Sequence, residues 1–214
     1  PSEFAKPVII IFAAKRAEDY YWNHAVDSRS LLVSLAFAVG IPVLLVFMQP
    51  DLGSSVIILT TVLFIFVLAG MPVKLTLGIV GIAAAAGFAA IAAKPYRLAR
   101  LMVALDPWKD AYGDGYQATL AIMAFASGGL FGRGIGGSTM KYNYLPEAHN
   151  DYILAIIGEE LGLVGTLLFF AVYIVLVVAG FKIGSRSKDR YGQLIAYGCS
   201  SMLAVQFFVN VMGI

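Results

Sequence analysis

The sequence predicts an all-α fold, a polytopic transmembrane helical bundle carrying one large extracytoplasmic loop. Three observations carry that reading. Of 214 residues, 60% are hydrophobic and 13% charged, where a soluble domain carries about 25% charged residues, and the mean hydropathy is +0.83. Charge-free runs cover residues 31–48, 52–73, 75–93, 161–181 and 191–214, each close to the roughly 20 apolar residues that cross a hydrocarbon core. The runs do not alternate as barrel strands would, and in lipid only helices or closed barrels satisfy the backbone.

The elements follow in order. Residues 7–14 are apolar and read as part of an incomplete or tilted helix, with a polar loop at 15–29. A span at 31–48 leads to the turn "QPDLG" (49–53), a span at 54–70 to "MPVK" (71–74), and a span at 75–93 to a long polar region ending near 151. A span at 163–181, a basic loop at 182–190 and a last apolar run from 192 complete the chain. The single transmembrane domain, 1–214, opens on Pro1-Ser2-Glu3 and closes inside an apolar run, so both ends are expected to be cuts in a longer protein. Net charge is +2 and no basic stripe with interleaved aromatics is present, so no nucleic-acid partner is expected. Cys199 is the single cysteine and lies in an apolar run, which excludes a disulfide framework.

Residues 115–132 are also charge-free but hold Gly115, Gly128, Gly129 and Gly132. If this segment does not cross, the loops 15–29, 71–74 and 182–190 share one side, which collects Lys15, Arg16, Arg29, Lys74, Lys182, Arg186, Lys188 and Arg190. Short cytoplasmic loops are rich in Lys and Arg, so that arrangement is the expected one. Residues 94–151 then form the extracytoplasmic loop, with 115–132 as a re-entrant or interfacial segment. Non-helical backbone at that depth needs a covering of protein or water, which suggests a cavity.

The candidate chemistry concentrates in "LPEAHNDYILAIIGEELG" (145–162), where Glu147, Asp151, Glu159 and Glu160 accompany His149. A helix beginning near 149–151 puts Asp151 and Glu159, eight apart, on one face with Gly158 beside them, and turns Glu160 roughly 100° away. Asp151 reads either as a helix cap or as a general base at a membrane edge, where an ionisable residue is a functional hypothesis by default. The helix dipole favours its ionised form. In "PYRLAR", Arg97 and Arg100 share a helical face and suit a phosphate or pyrophosphate; interfacial anchoring is the alternative. Glu3 and Lys6 are three apart and form either a bundle-orienting ion pair or a surface pair. Asp51 follows a Pro at a helix junction and reads as a cap. "GGLFGRGIGGS" (128–138) contains Gly132-x-Gly134-x-x-Gly137 without the strand and helix that a dinucleotide fingerprint requires, so a closely packed loop is expected there.

"PSEFAK", "MQPDLGSS", "YRLARLMVALDPWKDAYGDGYQ" and "GRGIGGSTMKYNYLPEAHNDYILAIIGEELGLVG" follow one another in this chain in an order that resembles the SEDS family (FtsW/RodA/SpoVE) of bacterial membrane proteins of shape, elongation, division and sporulation. The resemblance covers essentially the whole chain, and "LPEAH" and "IIGEELG" are more similar to the division branch. It implies a fold of ten transmembrane helices, of which this chain would be the middle. It further implies a multi-pass protein of the bacterial plasma membrane, a glycosyltransferase that polymerises lipid II into glycan strands. The implied partners are a class B penicillin-binding protein that cross-links those strands and other division proteins.

The family's essential Asp matches Asp151, although the usual Thr-Asp-Phe is Asn150-Asp151-Tyr152 here. Its Glu–Lys pair matches Glu3 and Lys6, and the Asp of its "QPDLG" matches Asp51. On this resemblance Asp151 is the catalytic candidate, removing the proton of an acceptor hydroxyl. Arg97, Arg100, Lys141, His149 and Glu159 are substrate-binding candidates, and Glu3, Lys6, Asp51 and Glu160 supporting ones. Positive charge for the departing pyrophosphate comes from the basic residues or from a divalent cation, Mg2+ or Mn2+. A lipid-linked precursor flippase and a non-catalytic scaffold for the cross-linking enzyme are the alternative functions.

Overall fold

A computed structural model describes residues 2–41, 52–92, 106–113, 115–138 and 153–212. Among them the secondary structure is helical: α1 (Ser2–Tyr21), α2 (Ser28–Leu35) continued by a π-helical segment (Ala36–Gly40), α3 (Leu52–Ala69), α4 (Val73–Ala92), a 3-10 turn (Pro107–Asp110), α5 (Tyr116–Gly128), α6 (Ile153–Arg186) and α7 (Arg190–Met212). The chain forms two compact units, 1–80 with 174–207 and 81–173 with 208–214.

The first unit is built on α1. Ile10, Ala13, Ala14 and Ala17 recur at helical spacing and are all buried, packing with Leu31, Ile65, Phe66, Ala69 and Leu194. Three alanines on one face let the α3 backbone come close, so the contact is narrow and dense. The same stripe explains why α1 runs to Tyr21 instead of giving way to a loop at Lys15. Ala17 continues the buried face, while Lys15 turns outward to Glu18 (2.9 Å) and Asp19 (3.0 Å). Gly198 of α7 sits against Ile10 and Ile65, where a Cβ would meet both side chains within 3 Å.

The span expected at 31–48 begins at Ser28 and changes character after Leu35, where the N–H of Ile41 donates to the Ala36 carbonyl, five residues back.

Two helices among the described residues, Ile153–Arg186 and Arg190–Met212, are long and apolar enough to cross a membrane, and Gly53–Ala69 and Val73–Ala89 are shorter apolar helices. Along α6, Leu163, Val164, Leu167, Leu168, Val172, Val175 and Leu176 are exposed. Such a continuous apolar surface is costly in water and ordinary in lipid.

One end of the first unit gathers polar anchors. The Arg190 guanidinium lies 5.1 Å from the Trp22 ring and the Lys15 ammonium 5.7 Å from the Tyr191 ring. Met71 packs with Tyr20, Tyr21 and Trp22 against the same core. The loops after α1, after α3 and before α7 therefore share one end of this unit.

Candidate functional site

The second unit places the glycine segment against the start of α6. Helix α5 stops at Gly128, and Gly129 takes φ 55°, ψ −144°. Helix α6 is interrupted at Gly162 (φ 68°, ψ −170°). In an unbroken helix the N–H groups of residues 163 and 164 would donate to the carbonyls of 159 and 160. The break frees all four groups, and the glycine segment takes each of them. Arg133 N donates to Glu159 O (3.0 Å), Gly134 N to Glu160 O (3.0 Å), Leu163 N to Gly129 O (2.9 Å) and Val164 N to Leu130 O (3.1 Å). Residues 129–134 are thus spliced into the hydrogen-bond ladder of α6. In a bilayer this matters because orphaned backbone groups there have no water to turn to.

Close approach of two backbones dictates the residue types. A Cβ on Gly128 would collide with the Gly158 carbonyl, one on Gly132 with the Glu160 carbonyl, and one on Gly162 with the Gly132 nitrogen. Gly132 and Gly162 also have positive φ, 78° and 68°, which side-chain-bearing residues adopt only with strain. A satellite core of Ala121, Ala124 and Ala155, with Phe125, holds α5 to the first turn of α6.

Side chains fasten the same junction. Glu159 is fully buried. It accepts a 2.6 Å hydrogen bond from the Ser138 hydroxyl and a 3.3 Å one from Nη1 of Arg133, whose side chain is 42% exposed. One carboxylate therefore grips the middle and the far end of the glycine segment. A buried carboxylate is tolerable only when paired in this way. Glu160 points elsewhere, and its Oε1 is buried with no hydrogen-bond partner among the described residues.

In the first unit Lys6 is 3% exposed and Glu3 66%. The ammonium donates to Glu3 Oε1 at 2.6 Å and to Gln206 Oε1 of α7 at 3.4 Å. The pair is thus neither a plain surface pair nor a fully buried one, and its Lys end bridges α1 to α7.

Asp151, His149, Lys141, Arg97, Arg100 and Asp51 lie outside the described residues. Asp151 is two residues before the first described residue of α6. Among the described residues no group of three His, Cys, Asp or Glu could hold a metal ion. Arg133 and Ser138 were not singled out by sequence reading. Their only trace there is a basic residue and a hydroxyl spaced along a glycine-rich stretch. Gly132-x-Gly134-x-x-Gly137 follows a helix, α5; Gly132 packs against the Glu160 backbone, Gly134 takes a positive φ of 92° in open space, and Gly137 closes on the Arg133 and Gly134 carbonyls of its own turn.

A helical, lipid-facing protein whose glycine segment is spliced into a broken span belongs to the class of helical membrane proteins with irregular backbone covered by protein. The comparisons narrow that class. The family model for cell cycle proteins of the FtsW/RodA/SpoVE type matches residues 1–214, and the chain belongs to this family. It is 37% identical to the probable peptidoglycan glycosyltransferase FtsW of Nitrosomonas europaea, over 99% of this chain and 55% of that protein. It is 35% identical to stage V sporulation protein E of Bacillus subtilis, over 99% of this chain and 57% of that one. The chain therefore spans about half the length of the curated relatives it matches. A solved chain from work described as structural coordination of polymerization and crosslinking by a peptidoglycan synthase complex has the same fold. Its TM-score is 0.67 at 24% identity, covering 95% of this chain and 55% of that chain.

Proposed function

We propose that the full-length protein is a peptidoglycan glycosyltransferase, a multi-pass protein of the bacterial plasma membrane that polymerises lipid II into glycan strands beside a cross-linking class B penicillin-binding protein. The observation that carries the reading is similarity along nearly the whole chain to relatives named probable peptidoglycan glycosyltransferase FtsW, at 37% identity in Nitrosomonas europaea and 39% in Acinetobacter baylyi. The multi-pass topology draws support from the first unit. The loops flanking α3–α4 and α6–α7 share one end of it, so the chain between them crosses an even number of times. Helix α5, at 13 residues, is about 20 Å long against a core of about 30 Å, which supports reading 115–132 as a segment that lies on or dips into the membrane.

In the proposed reaction the Asp151 carboxylate takes the proton of an acceptor sugar hydroxyl. The hydroxyl oxygen bonds to the anomeric carbon of the donor, and the bond from that carbon to the undecaprenyl pyrophosphate oxygen breaks. A pyrophosphate leaves without needing a proton, so one base suffices. Arg97, Arg100 and Lys141 meet its charge, and His149 contributes to substrate binding. A divalent cation would supply the same electrostatic help through residues beyond those described. Glu159 acts here by holding the glycine segment beside the start of α6, and Glu160 supports the same turn.

The test is lipid II polymerisation by the full-length protein with its partner. Asp151→Asn should yield no polymer on a gel that resolves glycan strands. Polymer at the wild-type rate would remove Asp151 from the chemistry and favour a flippase or scaffold reading.

A further inference from the structure

A second charged site lies at the anchor end of the first unit, far in sequence from Asp151. Arg16 of α1 and Arg29 of α2 line one open cavity of about 420 Å³ with Asp27, Ser30, Val33 and Ser34. Neither guanidinium has a carboxylate partner among the described residues, although Asp27 shares the cavity. By contrast Lys15, next to Arg16, is engaged by both Glu18 and Asp19. Arg16 rests its guanidinium over the Phe12 ring, 5.4 Å from its centroid. Stacking covers the flat face and leaves the N–H edge for an anion. Net charge around the cavity is therefore +1, from two unspent forks and one carboxylate.

The surroundings specify what kind of anion. Leu32, Val33 and Phe37 are 67%, 50% and 66% exposed on the helix that carries Arg29. A ligand seated on the two arginines thus meets apolar surface immediately beside them. The cavity lies at the end of the unit where Arg190 covers Trp22 and Lys15 covers Tyr191, an arrangement typical of a membrane–water boundary. By the charge of its loops this is the cytoplasmic side, whose leaflet is anionic.

We propose that Arg16 and Arg29 form a binding site for the phosphate headgroup of an anionic phospholipid of the cytoplasmic leaflet, with its acyl chains along Val33 and Phe37. The site is separate from the glycosyl-transfer chemistry and stands whether or not that proposal holds.

The experiment is native mass spectrometry of the delipidated full-length protein in detergent, titrated with phosphatidylglycerol or phosphatidylcholine, with inorganic phosphate in a third arm. Phosphatidylglycerol should bind preferentially, and Arg16→Gln with Arg29→Gln should weaken it by about fivefold per arginine while leaving phosphatidylcholine unchanged. Arg16→Lys with Arg29→Lys should retain only part of the preference, since the charge stays while the stacked fork is lost. Arg29→Gln alone, at an exposed position, keeps the test valid if the double variant fails to fold. Equal phosphatidylglycerol binding by wild type and Arg29→Gln would overturn the site. Saturation by millimolar phosphate that excludes the lipid would overturn its assignment to a phospholipid.

Discussion

The backbone N–H of Arg133 donates to the carbonyl of Glu159 at 3.0 Å, a position that Leu163 would occupy in an unbroken helix. This one exchange, repeated at Gly134 and Glu160 and reciprocated at Leu163 and Val164, turns a glycine-rich loop into part of a membrane helix. It also ties the loop to the stretch of chain that begins just after Asp151.

Gly162→Ala should damage the splice through two effects. The φ of 68° is strained for alanine, and the new methyl group meets the Gly132 nitrogen. A cost of about 1–3 kcal/mol is expected from the strain alone. Hydrogen exchange should rise at the amides of Arg133, Gly134, Leu163 and Val164 together. An unchanged exchange pattern would mean that the helix is not broken there.

Glu159→Ala and Glu159→Gln should separate. Alanine abandons both Ser138 and Arg133, and removing one member of a buried charged pair costs about 3–5 kcal/mol, less here because Arg133 is partly exposed. Glutamine keeps an acceptor for the Ser138 hydroxyl and should lose less. Ser138→Ala should cost about 1 kcal/mol. Thermal unfolding in detergent ranks the three, and a glutamine variant no better than alanine would contradict the arrangement.

Gly198→Val tests the other unit. Its side chain would press on Ile10 and Ile65, and overpacking a dense contact typically costs about 1–3 kcal/mol. A double-mutant cycle between Lys6 and Gln206 should give a small favourable coupling, below about 1.5 kcal/mol for a hydrogen bond of this length. Zero coupling would reduce their contact to mere proximity.

Alkaline pH should loosen the anchor end. Burial, then the neighbouring Tyr20, raises Tyr21 above its ordinary value of 10.0, and hydrogen bonds to Glu18 and Asp19 raise Lys15 above 10.5. Both shifts favour the protonated form in the fold. Their contribution is complete below the ordinary values and is lost as pH climbs through the raised ones. The effect is modest because Lys15 is solvent-exposed. Between pH 9 and 11 the melting temperature should fall less in Tyr21→Phe than in the wild type.

Much of the scaffold was legible because lipid imposes a simple rule: long charge-free runs became α3, α4, α6 and α7. The extension of α1 was less so, since the apolar string ends at Ala14 and only the buried alanine at 17 marks its continuation past Lys15. The π-helical turn at 36–40 leaves no pattern that periodicity detects. The splice at Gly162 was invisible as a splice, because it is made by backbone groups from distant positions. The glycines at 128 and 132 marked a closely packed loop without naming its partner, whereas nothing in the sequence marked Gly162 as the break. Lys6 and Glu159 were visible as ionisable residues out of place. Their partners Gln206, Ser138 and Arg133 were not, because a tertiary hydrogen bond has no sequence spacing.

The most direct measurement is the initial rate of lipid II polymerisation by the full-length protein in complex with its cross-linking partner, comparing wild type with Asp151→Asn after matched folding and complex formation are verified. Loss of a positioned general base should lower the rate by about 10²–10⁴-fold. A rate within a few-fold of wild type would contradict the proposal that Asp151 carries the chemistry.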